Sequence, residues 1–280
     1  MTQVPVLSQG GDSPGTPGAP AKTRAQIPER TLRKDAWWRS PALTAVALTI
    51  WVTYATVHVF IGRWYWVPKY HYLTPFYSPC VSGECAPGSS TLGQWIPAVP
   101  PIIPYAFVSL VFVLGFRLTC YYYRRAYYRA FWLAPAACAV REPHPTYSGE
   151  TRFPLIGQNL HRYFFYMALL IAILLSYDAA QAFRGPNGDF GFGLGSLIML
   201  ANVILLWCYA LGCHSCRHIT AGRLKNFSSH PVRYWAWTKV SWLNARHMQF
   251  AWITLGTLML TDLYIWLVAA GVFSDPRIFN

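Results

Sequence analysis

Apolar stretches about as long as a membrane is thick alternate with short polar, basic or turn-rich segments along most of this 280-residue chain. A helix needs roughly 20 apolar residues to cross the hydrocarbon core of a bilayer. Five stretches meet that length: Pro41 to Gly62, Val99 to Tyr121, Leu160 to Phe183, Phe190 to Cys213 and His247 to Phe273. Membrane-spanning strands need only about ten tilted residues, and lipid offers no partner to loose backbone groups. The pattern therefore predicts an all-α integral membrane protein, a bundle of five transmembrane helices. Residues 1–38 are rich in Pro, Gly and Ser and lack an apolar run suited to a cleaved signal peptide, which predicts a disordered arm ahead of a membrane domain over 39–280.

Composition agrees with this picture: 54% of residues are hydrophobic, 17% aromatic and only 12% charged, unlike a soluble domain. The placement of charge adds orientation. Nineteen Lys and Arg residues fall on the arm, between spans two and three, and between spans four and five. Only Arg63, Lys69, Arg184 and Arg277 fall on the other side. The excess of positive charge on the inner side of membrane proteins then predicts a cytoplasmic N-terminus and a C-terminus outside. The net charge of +13 is explained as topology, and no nucleic-acid partner is expected. On the outer side, Cys80 and Cys85 in "SPCVSGECAPGSS" could close a small disulfide loop or stay as thiols.

Chemistry concentrates at one depth. Cys120 ends span two, His161 begins span three, "CHSCRH" (Cys213 to His218) ends span four, and His247 begins span five. Within the spans the outer half offers His58 alone, so two stacked haems, each held by a pair of histidines from different spans, would lack outer ligands. At about 100° per residue, Cys213 and Cys216 share one helix face, while His214 and His218 point about 150° away. One straight helix cannot aim all four at a single metal. The cysteine face continues through Tyr209, Asn202 and Gly195, as suits a bundle interior. His247 aligns with Thr254, Thr261 and Asp262; His161 aligns with Ala168, Ala172 and Ala179; Cys120 aligns with Ser109 and Ala106. The projection selects Cys213, Cys216, His161 and His247 as ligands, with Cys120 and His218 in reserve and Cys138 with His144 as a further pair in the loop between spans two and three. Two thiolates and two imidazoles suit zinc or a Rieske-type 2Fe–2S cluster. A compact zinc knuckle of neighbouring ligands does not fit the projected geometry.

The strings "RLTCYYYRRAYYRAFW", "GETRFPLIGQNLHRYFFY", "CHSCRHITAGRLKNFSSHPVRYWAWTKVSWLNARHMQFAW" and "TDLYIWLVAAG" resemble the membrane anchor of the actinobacterial type of succinate dehydrogenase, respiratory complex II. The resemblance runs from about Leu118 to Gly271. It implies a subunit in the bacterial plasma membrane that passes electrons from succinate to a quinone. The flavoprotein and iron–sulfur subunits would be its partners on the cytoplasmic face, succinate would be oxidised on those partners, and a Rieske-type 2Fe–2S cluster would stand in place of haem. Haem b held by His161 and His247 is the alternative cofactor, and the oligomeric state of the complex stays open.

Aromatic walls with polar donors near the same ring suggest Trp242, Tyr163 and Arg246 for the quinone. Asp178 and Asp262 are acids in the outer halves of spans three and five, suited to proton relay or to local pairing, Asp178 with Arg184 for example. The basic, aromatic segment around "RLKNFSSHPVRYWAWTKVSW" suits an interfacial helix or a docking face. A membrane di-iron hydroxylase would need several HxxxH boxes, and only His214 and His218 form one. The sequence holds no catalytic carboxylate pair, nucleophilic triad or phosphate-binding loop.

Overall fold

The computed structural model describes residues 34–78, 80–82, 88, 90–96, 100, 102–134, 136–140, 143, 151–152, 155–185 and 187–280. Most of the arm, Cys85 and His144 lie outside the described residues. Among the described residues four helices are long and apolar enough to cross a membrane, and a fifth span is counted if one bent helix pair is read as a single broken span. Helix α1 (Arg39–Ile61) ends on Gly62, whose φ of 65° is the left-handed conformation that glycine supplies without a Cβ penalty. The short strands β1 (Trp66–Val67) and β2 (Tyr72–Leu73) form a hairpin, and β3 (Cys80–Ser82) pairs with β4 (Thr91–Ile96). Cys80 is disulfide-bonded.

The second span departs from expectation at both ends. Helix α2 (Tyr105–Thr119) has only 15 residues and starts after Pro104, because the prolines at 97, 100, 101 and 104 oppose helix before that point. At Cys120 the backbone turns extended (φ −61°, ψ 130°), and the chain bends by 77° into α3 (Tyr121–Tyr127) and the π turn Tyr128–Trp132.

Helix α4 (His161–Gln181) is the third span, and α5 (Leu194–Leu211) the fourth, preceded by strand β5 (Phe192–Gly193). A second break corrects the projection of "CHSCRH" as the end of a straight span: Cys213 is extended (φ −67°, ψ 146°) and caps a new helix, α6 (His214–Ala221). Helix α7 (Pro231–Ala245) has no buried residue, in keeping with the interfacial helix expected there. Its Trp237 receives the Arg217 guanidinium at 5.0 Å. Helix α8 (His247–Ala269) packs along α5, and α5 also packs on α4.

The helix ends opposite the Cys/His ring are tied by buried polar contacts. Tyr72 donates to Asp275 at 2.9 Å and meets Ser196 at 3.1 Å. Asp275 also accepts from Tyr264 (2.6 Å) and from the Gly195 amide (2.8 Å). A Cβ on Gly195 would lie 2.4 Å from the Tyr72 ring, so only glycine lets that ring approach. Strand β6 (Arg277–Phe279) then pairs with β5 and fastens the C-terminal segment.

Candidate metal centre

The two chain breaks do the same thing. Each places a cysteine in extended conformation at the start of a new helix, and each thiol turns back into the bundle: Cys120 is 3% exposed and Cys213 1%. Amides of the new helix approach the sulfur, that of Ser215 on Cys213 and those of Tyr122 and Tyr123 on Cys120. Each thiol meets a histidine from another span. Cys213 Sγ lies 3.0 Å from His161 Nε2, and Cys120 Sγ lies 3.3 Å from His247 Nε2. Four donors from four helices thus stand as two thiol–imidazole pairs. Among the described residues no group of three or more His, Cys, Asp or Glu side chains is arranged around one metal position.

Aromatic rings fill the space between the pairs. Phe116 stacks on His161 (5.1 Å, 9°) and meets Tyr209 edge-on, while Tyr209 stacks on His247 (4.8 Å, 4°). The adjoining core cavity is about 50 Å³. Any group inserted between the two pairs, porphyrin or cluster, would have to displace these rings.

Hydrogen bonding fixes the His161 tautomer. The Thr119 hydroxyl donates its one proton to the Gly115 carbonyl at 2.6 Å, so toward His161 Nδ1, 2.9 Å away, it acts as acceptor. Nδ1 therefore carries the proton, and the Nε2 lone pair faces Cys213. Histidines that ligate metals are oriented in this way by the bond made at their other nitrogen. His247 Nδ1 is buried without a hydrogen-bond partner. Gly212 passes so close to that ring that a Cβ there would stand 3.3 Å from Nδ1 and 2.9 Å from the Cys208 carbonyl. Two thiols and two imidazoles, with His161 oriented by Thr119, are a donor set of the kind that suits a two-thiolate, two-imidazole metal group.

Other expected residues are placed differently. Cys216 is half-buried and packs against the core cluster that contains Cys120 and Cys213. His218 is exposed and lies 2.5 Å from Arg162. Cys138 is exposed. Trp242 and Arg246 stack on each other at 4.2 Å on exposed α7, and Tyr163 is exposed on α4. None of these three borders the large groove of about 740 Å³ that opens between α1, α2, α3 and α4. That groove is lined by apolar side chains with Thr119, Arg117, Tyr123, Tyr127 and Gln158 among them. Tyr127 and Gln158 hydrogen-bond each other.

Asp178 is held by the hydroxyls of Ser78 and Ser90 rather than by Arg184. Asp262, 1% exposed, accepts from Tyr54 at 2.7 Å and lies 2.5 Å from His58 Nδ1. Arg117 counted as a loop charge in the sequence pattern. It is instead buried within α2, at 4% exposure. Its position inside an apolar run was the available signal. Thr119, Phe116 and Tyr209 carried none that sequence could reveal.

The family model for actinobacterial succinate dehydrogenase subunit SdhC matches residues 39–271. Among solved structures, a chain of the Mycobacterium smegmatis Sdh1 complex in the apo form is similar at 65% identity and a TM-score of 0.85, with 93% of this chain and 98% of that one covered. Comparison with curated proteins gives no match. A family match over most of the chain and a relative this close agree with the helical membrane bundle, and the chain belongs to the actinobacterial SdhC family of succinate dehydrogenase membrane subunits.

Proposed function

We propose that this subunit carries electrons from the soluble subunits of succinate dehydrogenase to a membrane quinone through a Rieske-type 2Fe–2S cluster held by Cys120, Cys213, His161 and His247. The observation that supports this most is the presence of two thiol–imidazole pairs at matching helix breaks, at one end of the bundle. Cys120 takes the place that helix projection assigned to Cys216, because the break after Thr119 turns it inward. When bound, such a cluster accepts and returns one electron at a time, at a potential raised by its imidazole ligands. The protein's part is to hold the donors. Thr119 orients His161, Gly212 leaves room for His247, and Phe116, Tyr209 and the surrounding apolar core keep water out.

The quinone is assigned to the groove bordered by Thr119. Its walls are apolar, its volume suits a ring with part of a prenyl tail, and Tyr127 and Gln158 can hydrogen-bond carbonyl oxygens. Thr119 touches both the groove and His161, so the quinone ring would sit beside a cluster ligand. Succinate oxidation on the partners releases two electrons and two protons; quinone reduction here takes up two of each. The distribution of Lys and Arg supports an orientation in the bacterial plasma membrane with the Cys/His end cytoplasmic, facing the flavoprotein and iron–sulfur partners.

Purified complex should contain one more 2Fe–2S equivalent of iron and acid-labile sulfide than its soluble subunits account for. Replacing Cys120 or Cys213 with Ser should remove that equivalent and abolish succinate-driven quinone reduction, while succinate oxidation by an artificial acceptor persists. A haem Soret band without the additional sulfide would overturn the assignment.

A further inference from the structure

Burying a cation is costly unless something negative compensates it. Arg117 is buried in the middle of the bundle, and among the described residues no carboxylate pairs with it. Its partners are all neutral: it donates to the Tyr123 hydroxyl (2.9 Å), Thr254 Oγ1 (3.2 Å) and the Ala251 carbonyl (3.5 Å). Three aromatic faces surround the guanidinium, with Trp51 at 5.7 Å, Tyr123 at 5.8 Å and Tyr209 at 4.9 Å from their centroids. These contacts place the charge without neutralising it.

Its position supplies the missing partner. Tyr209, against which the guanidinium lies, is the ring that stacks on His247. Arg117 is three residues before Cys120, and its field reaches the Cys120 sulfur. The same side chain borders the groove assigned above to quinone. Two ferric ions, two sulfides, two thiolates and two neutral imidazoles sum to no net charge; one added electron makes the site −1.

We propose that Arg117 is a positioning residue of electrostatic kind, a fixed counter-cation whose charge favours the reduced, negatively charged form of the site held by Cys120, Cys213, His161 and His247. The inference rests on the cluster assignment of the preceding section. Arginine suits the role because its guanidinium keeps its charge and tolerates aromatic packing. At an effective dielectric constant of about 20, a unit charge roughly 10 Å away shifts a one-electron equilibrium by about tenfold or more, 59 mV per decade.

The test is a redox titration of the assembled complex, followed by the electron paramagnetic resonance of its reduced iron–sulfur centres. Arg117→Met should make the membrane centre at least tenfold harder to reduce, and Arg117→Lys should restore most of the difference. Thr254 provides a second route that keeps the arginine. Thr254→Asp puts a carboxylate beside the guanidinium and should shift the centre in the same direction, whereas Thr254→Asn, of the same shape, should not. This pair decides the matter if Arg117→Met fails to assemble. A potential unmoved in Arg117→Met and equal in the two Thr254 variants overturns the inference, even if thermal stability falls, because a purely structural arginine would behave that way. A wild-type complex without any membrane-centre signal overturns the cluster assignment instead.

Discussion

Replacing Thr119 with Val removes one hydroxyl and little volume. That hydroxyl accepts from His161 Nδ1–H while donating to the Gly115 carbonyl. Valine leaves the half-buried imidazole N–H without its acceptor. A stranded polar group of this kind costs about 1–3 kcal/mol, more when deeply buried. The ring can recover that cost by rotating or by moving its proton to Nε2, and either change spoils the nitrogen that faces Cys213. A loss of that size corresponds to the roughly 10–100-fold fall in metal affinity seen when an outer partner of a ligating histidine is removed. The assay is the iron and acid-labile sulfide retained by purified complex during a timed chelator challenge, measured for wild type, Thr119→Val and Thr119→Ser. Serine keeps the hydroxyl and should behave as wild type, while valine should lose its metal at least tenfold faster. Equal loss from all three would refute the role of Thr119 in orienting His161 and, with it, the assignment of His161 Nε2 as a ligand atom.

Two further expectations follow from contacts elsewhere. Gly212→Val adds a side chain where even a Cβ would press on the Cys208 carbonyl, the Leu243 carbonyl and His247 Nδ1; overpacking of this kind costs about 1–3 kcal/mol, so the variant should show lower cluster content and an earlier melting transition in detergent. Tyr72→Phe removes a hydrogen bond to buried Asp275 and should destabilise the complex by about 1.5–3 kcal/mol in chemical denaturation. Burial pushes the Tyr72 phenol up to about 12; the neutral phenol therefore contributes fully below pH 10, and that contribution is lost as pH rises through 12. The stability difference between wild type and Tyr72→Phe should narrow over that alkaline range, and a difference constant to pH 12 would contradict it.

Much of the architecture was legible because membrane helices answer to a simple rule. Backbone groups in lipid must be satisfied internally, so an apolar run of sufficient length declares a helix. The starts of α4 and α8 at His161 and His247 fall within a residue of where hydropathy places them. The inward faces also follow from periodicity: Tyr209, Asn202 and Gly195 on α5, and Thr254, Thr261 and Asp262 on α8, are all buried. Proline explains the late start of α2. The break at Cys120 has no such local cause, since neither Pro nor Gly stands at that point in "RLTCYYY". What holds Cys120 extended is its thiol against His247 and the hydrogen bond from the Tyr123 hydroxyl to the Ala251 carbonyl, contacts made by residues more than a hundred positions apart. A straight-helix projection could hold Cys120 in reserve but could not find its pairing with His247.

The sequence by itself determined that the chain is a membrane bundle, which residues could act as metal donors, and the end of the bundle at which they gather. These properties are carried by length, hydropathy and helical period, which are local. Tertiary structure alone decided which thiol meets which imidazole and which tautomer His161 adopts. Those outcomes depend on two bends in the backbone and on rings from separate helices filling one space, and no local periodicity encodes the energy of such contacts.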